Sequence, residues 1–154
     1  MNQKHRAGYT GRAMKSALMI GFLLTVAVFA QESTPQASMQ QLMLDLIHPA
    51  SNDIVLFVNR GGSKDDADWA AIRRSALTLA ESGILLTGRG RARDQGDWPK
   101  DAMALRDAGA AAYRAAQAKD LAALAAATDS LDASCTTCHK QYRPNVFPRE
   151  GGSK

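Results

Sequence analysis

Cys135 and Cys138 are the only cysteines in the 154-residue chain, and His139 follows the second directly. The run Cys135-Thr136-Thr137-Cys138-His139 has the C-x-x-C-H spacing by which a c-type haem is attached. The order is a chemical requirement. Each thiol adds across one vinyl group of the haem to give a thioether, and the adjacent histidine then lies under the iron, where a ring nitrogen can ligate it. On a helix, residues three and four apart share a face, so all three side chains point the same way.

Three other uses of a C-x-x-C pair compete with haem. A redox dithiol sits near a βαβ pattern, and no alternation of strands and helices is visible. A closed structural zinc site needs four ligands, whereas Cys135, Cys138 and His139 cluster alone and His48 is far away in sequence. A disulfide across so short a loop removes little unfolded-state entropy. Haem attachment also implies export, and the N-terminus supplies an export signal independently.

Residues 1–15 carry Lys4, Arg6, Arg12 and Lys15 and no acid, and residues 16–30 (SALMIGFLLTVAVFA) are apolar and end Val28-Phe29-Ala30. That is the n-region, h-region and small-residue cleavage site of a secretory signal. As a membrane anchor the run is shorter than the ~20 residues that span a bilayer. No cysteine follows it for lipidation, and no Arg-Arg pair precedes it for twin-arginine export. The expectation is a signal peptide, 1–30, cleaved near Ala30, and a periplasmic mature domain, 31–154.

Removing that segment changes the charge argument. The whole chain has 19 Lys+Arg and 15 Asp+Glu, and residues 1–30 hold four of the bases and none of the acids. The mature polypeptide is therefore neutral before any cofactor is counted. Nucleic-acid binding, which needs a clustered basic face, is not indicated. Arg89, Arg91 and Arg93 lie near Gly88 and Gly90 and read as a solvated loop.

The mature chain suffices for one domain with one core. It is rich in alanine, which loses no side-chain entropy in a helix, and four helices are expected. The first covers about 36–59, with Met43, Ile47, Ala50 and Ile54 on one face. A kink is expected at Pro49, which lacks a backbone donor. The second covers about 65–87, capped by Ser63 with Asp66, and carries the rows Trp69-Ala76-Gly83 and Ile72-Leu79-Leu86. The third covers about 98–119, with Asp97 as N-cap, Pro99 in the first turn, and an alanine stretch against which a neighbour can pack closely. The fourth covers about 120–142 and stops before Pro144. Its rows are Leu124-Leu131-Cys138 and Leu121-Thr128-Cys135-Tyr142, which puts the motif on the inward face.

A four-helix chain with C-x-x-C-H on its last helix resembles the class II c-type cytochromes, whose best-known members are the cytochromes c′. The residues after the motif extend the likeness: Cys135 to Arg143 fits the family's C-x-x-C-H-x-x-[Tyr/Phe]-Arg. The resemblance implies an all-α, antiparallel up-down-up-down four-helix bundle holding one covalent haem c. It also puts Tyr142 and Arg143 near the haem and its histidine. Family members often dimerise, so a homodimer is possible.

The family divides by its sixth iron ligand. Gln41-Leu42-Met43 is similar to the Leu-Met pair of the low-spin branch, which implies His139 as proximal and Met43 as distal ligand. Met39 is the alternate, one turn earlier, and His48 is a weaker candidate beside Pro49. As a core residue, Met43 would simply fill an irregular gap. His/Met ligation implies one-electron transfer between membrane-bound and soluble redox partners. The alternative is a five-coordinate, high-spin protein that binds nitric oxide or carbon monoxide. An enzyme such as a peroxidase would need an acid–base group over an open iron. Beyond His48 and the acids around the loops, the sequence sets none on the expected distal face, so the chain reads as a non-enzyme.

Overall fold

A computed structural model describes residues 36–145. The expected signal peptide, 1–30, lies outside the described residues. Four helices and no strand occur among them: α1 (residues 39–59), α2 (Asp66–Thr87), α3 (Asp97–Ala118) and α4 (Leu121–Tyr142). α2 packs most extensively on α3 and α3 on α4, while α1 touches both α2 and α4 and closes the bundle.

Each start is set by one side chain. Ser38 and Gln41 form a capping box at α1, with Ser38 Oγ accepting from Gln41 N (3.2 Å) and Gln41 Oε1 from Ser38 N (2.9 Å). At α2 the cap is Asp65, which accepts from Ala67 N at 2.8 Å, and not the expected Ser63. Ser63 instead accepts from Asp65 N and offers its carbonyl to Trp69 Nε1, which shapes the approach to the cap. Asp120 caps α4 by accepting from Ala123 N at 2.9 Å.

Pro49 does not kink a regular α-helix. Residues Leu42–Ile47 form a π-helical segment, followed by α-helix over His48–Asn59 with Pro49 at its second position. The His48 N–H donates to the Met43 carbonyl, five residues back. The wider turn takes up the hydrogen-bonding mismatch that a proline creates in a continuous helix. Its consequence is local: Leu42 and Ile47 are buried, Met43 is half-buried and His48 is exposed.

The turns between helices follow from a few backbone conformations. After α1, Gly62 N donates to Phe57 O and Gly61 N to Val58 O, both at 2.9 Å, with φ of +76° and +82° at these glycines. This is a Schellman ending. After α3 only Lys119 and Asp120 intervene before α4, and Lys119 takes the left-handed conformation (φ +55°). So short a link makes α3 and α4 antiparallel neighbours.

The core joins Ile54 and Phe57 of α1, Trp69 and Leu79 of α2, Ala112 and Ala116 of α3, and Leu124 and Leu131 of α4. Phe57 meets Trp69 edge to face at 4.8 Å. Each large apolar side chain buried here contributes about 1.5–3 kcal/mol. Both stripes expected on α2 are buried, whereas on α4 Leu124 and Leu131 are buried and Leu121, Thr128, Cys135, Cys138 and Tyr142 are half-buried.

α2 and α3 approach so closely that only glycine fits at two points. A Cβ on Gly83 would lie 2.5 Å from the Ala102 carbonyl oxygen, and one on Gly109 would lie 2.5 Å from Ala80 N. Both neighbours are backbone and cannot yield as a side chain would. Gly109→Ala is therefore expected to destabilise the fold by about 1–3 kcal/mol, the cost of overpacking, seen as a lower denaturation midpoint. An unchanged midpoint would show that the two helices can slide apart freely.

Candidate cofactor site

The last turns of α4 carry Cys135, Cys138 and His139 to one cleft. Its inner part is walled by Met43 and Ile47 of α1, Leu86 of α2, and Trp98, Ala102 and Leu105 of α3. Asp101 and Ser134 also border it. The outer part, about 540 Å³, is lined by Met39, Gln40, Met43, Leu44, Arg93, Trp98, Cys138, His139, Tyr142 and Arg143. Met43, Trp98, Cys138 and His139 border both parts.

The three motif residues have the chemistry that haem attachment asks of them. Cys135 and Cys138 form no disulfide with each other. Burial pushes the Cys138 thiol up to about 11, with the Asp101 charge and then Cys135 adding to the rise. Burial raises Cys135 as well. A reactive dithiol needs the opposite shift. His139 is held below its ordinary value by burial first and the Arg143 cation second, which favours the neutral imidazole that ligates metals. Among the described residues, no group of three or more His, Cys, Asp or Glu side chains could hold a metal ion alone. Two neutral thiols three residues apart, a neutral imidazole beside them and a cleft with an apolar inner wall and a roomier, partly polar outer part fit a haem.

A polar junction holds the mouth of this cleft. Asp94 Oδ1 accepts from Gly96 N (2.8 Å) and Trp98 N (3.1 Å), while its Oδ2 accepts from the Tyr142 hydroxyl. Gly96, rather than the expected Asp97, holds the N-cap position of α3, Asp97 is the first helical residue, and Asp94 supplies the carboxylate that the Trp98 N–H needs. Trp98 is 4% exposed, meets Tyr142 edge to face at 4.8 Å and donates from Nε1 to Leu86 O at 2.8 Å. The end of α4 is thereby tied to the start of α3 and the end of α2. The Tyr142 bond, ahead of that from Trp98 N, holds the Asp94 carboxyl below its usual range.

The structure brings Met43, Met39, Tyr142 and Arg143 to the cleft but not His48, which is exposed and borders neither part. Three contributors were not found by sequence reasoning. Arg93 was read as part of a solvated loop, yet it borders the outer cleft. Trp98 signalled only a helix start. Asp101 supplies an acid in the inner wall where none was expected. Its Oδ2 is buried without a hydrogen-bond partner, and burial, then Asp97 and Asp94, raise its pKa.

The model of the family described as Cytochrome C′ matches residues 93–143. The match begins at the mouth arginine, spans α3 and α4, and ends on Arg143. Borne by an all-helical bundle, it makes the sequence of α3 and α4 similar to the cytochrome c′ family, whose cofactor is haem c. No curated protein and no solved structure matches the chain.

The junction has a measurable acid limb. Because the folded pKa of Asp94 lies below its ordinary 3.8, its contribution to stability is complete above that value. The contribution is lost as pH falls through the lowered one. Tyr142→Phe removes the largest cause of the shift. Thermal melts between about pH 4 and pH 2 are expected to fall more steeply for the wild type than for Tyr142→Phe. Parallel curves would mean that the hydroxyl adds nothing to the junction.

Proposed function

We propose that the protein is a periplasmic one-electron carrier and not an enzyme. In this reading it holds a single haem through thioethers at Cys135 and Cys138, with His139 and Met43 as the axial ligands. The observation that carries it is that Met43 borders both parts of the cleft that contains all three motif residues. Haem so ligated supplies reversible one-electron chemistry, with a methionine ligand raising its potential. The chain's own residues do the rest. Cys135 and Cys138 anchor, His139 offers a neutral ring nitrogen, and Ile47, Leu86, Trp98 and Leu105 exclude water. The partners would be redox proteins of the periplasm or inner membrane, met in brief contacts.

Met39 supports a variant of the same function, since it borders the outer cleft one turn earlier. The π-helical segment around Met43 gives the gas-binding reading its footing. Such segments recur at functional sites, and a thioether that stays clear of the iron would leave an apolar pocket for nitric oxide or carbon monoxide.

Absorption spectra of oxidised and reduced protein separate these readings. The electron carrier is expected to be low-spin, with the weak far-red band of methionine-ligated ferric haem. Met43→Ala should abolish that band, turn the iron high-spin and admit carbon monoxide rapidly, and Met39→Ala should leave it. A wild type that is already high-spin and binds carbon monoxide at once would transfer the assignment to gas binding.

Attachment and location are tested separately. The haem should survive denaturation and acid–acetone extraction, and the Cys135→Ala/Cys138→Ala pair should yield little holoprotein. Haem that washes out would refute the thioethers. The soluble periplasmic fraction should contain a chain beginning near Gln31, whereas an intact N-terminus in the membrane fraction would support an anchor.

A further inference from the structure

A haem is mostly apolar but carries two propionate carboxylates, and the cleft is unequal in where it can receive them. The inner wall is formed by Ile47, Leu86, Ala102 and Leu105, with Asp101 as the acid in its lining. A carboxylate there would lose its hydration and meet another acid, which is costly. The outer part has no acid in its lining and has two arginines, Arg93 and Arg143.

Arg93 is not carried on a loose loop. Two residues before it, Arg91 donates from Nη1 to Leu85 O (3.2 Å) and from Nη2 to Ala37 O (3.0 Å). This ties the loop to the end of α2 and the lead into α1. The next residue, Asp94, is fixed by Gly96 N, Trp98 N and the Tyr142 hydroxyl. Arg93 therefore stands between two pinned neighbours. Arg143 reaches the same mouth from the end of α4, near enough to His139 to depress its pKa. Among the described residues, neither guanidinium has a hydrogen-bond or ion-pair partner. The one carboxylate close to the mouth, Asp94, is engaged by Gly96 N, Trp98 N and the Tyr142 hydroxyl and by neither arginine, so the two guanidinium cations make the outer end the one suited to an anion.

We propose that Arg93 and Arg143 form a carboxylate receptor at the cleft mouth and that the carboxylate it holds is a haem propionate. The inference rests on the haem reading above. The planar guanidinium can bind a carboxylate through two parallel hydrogen bonds. Both arginines are exposed, so each contact is on the scale of a solvent-screened ion pair. The receptor would set the orientation of the haem in the cleft and favour the form of the iron with less positive charge.

The test uses holoprotein that keeps its haem through acid–acetone extraction, so that a failure of the receptor is read apart from a failure of attachment. Arg93→Gln, Arg143→Gln and Arg93→Lys are compared with Arg114→Gln, a control on the opposite face of α3. Midpoint potential and the resonance-Raman propionate-bending mode are measured for each. At fixed ambient potential, each Gln variant is expected to lower the ferrous-to-ferric ratio roughly two- to fivefold and to shift the propionate mode. Arg93→Lys should restore part of both, and the control should move neither. A potential that falls while the mode stays put would make the arginines distant charges and overturn the receptor. If both readouts stay put and polyglutamate binding weakens instead, the mouth receives a partner's carboxylate and the propionate assignment is wrong. No change in any readout would overturn it outright.

Discussion

Asp94 accepts three hydrogen bonds from two elements, and much of the site depends on them. Gly96 N and Trp98 N fix where α3 starts, and the Tyr142 hydroxyl fixes where α4 ends. A carboxylate that accepts several such bonds stays ionised and is a strong acceptor. Trp98, held beneath it against Tyr142 and bonded to Leu86 O, becomes a wall of both parts of the cleft. The tyrosine that follows the C-x-x-C-H motif is thus a fastening between helices as well as part of the cleft's lining.

The opposite wall owes its shape to a backbone irregularity. The π-helical segment at Leu42–Ile47 precedes Pro49 in α1, and Met43 and Ile47, which line the inner cleft, both lie within it. The proline and the candidate ligand are therefore parts of one local structure. The close α2–α3 crossing at Gly83 and Gly109 keeps the remaining walls in place without a large side chain between them.

Charge is distributed along the cleft in one direction. Asp101 lies at the inner end with its pKa raised by burial, and Arg93 and Arg143 lie at the outer end. That polarity suits a cofactor whose ring is apolar and whose carboxylates need solvent or a cation. The equal number of acids and bases outside residues 1–30 conceals it, because the gradient arises from where a few charges fall and not from their number.

The helices were legible in the sequence because their evidence is local. Heptad rows such as Ile72-Leu79-Leu86, alanine-rich composition and the stops at Gly61-Gly62 and Pro144 put four helices within a few residues of their observed ends. The motif was equally plain: C-x-x-C-H is contiguous, and helical geometry alone aligns its side chains. Caps were read less well, since Ser63, Asp65, Asp94 and Asp97 are all chemically suitable and only the folded loops decide which is used. Arg93, Asp101 and Trp98 could not be assigned to the cleft beforehand, because each reaches it through contacts between segments far apart in the chain. The sequence by itself therefore determined the helices and the three residues of the attachment motif, which depend on near neighbours. Tertiary structure alone decided what faces that motif across the cleft, because the pinned loop, the π-helical segment and the glycine crossing exist only once the helices have packed.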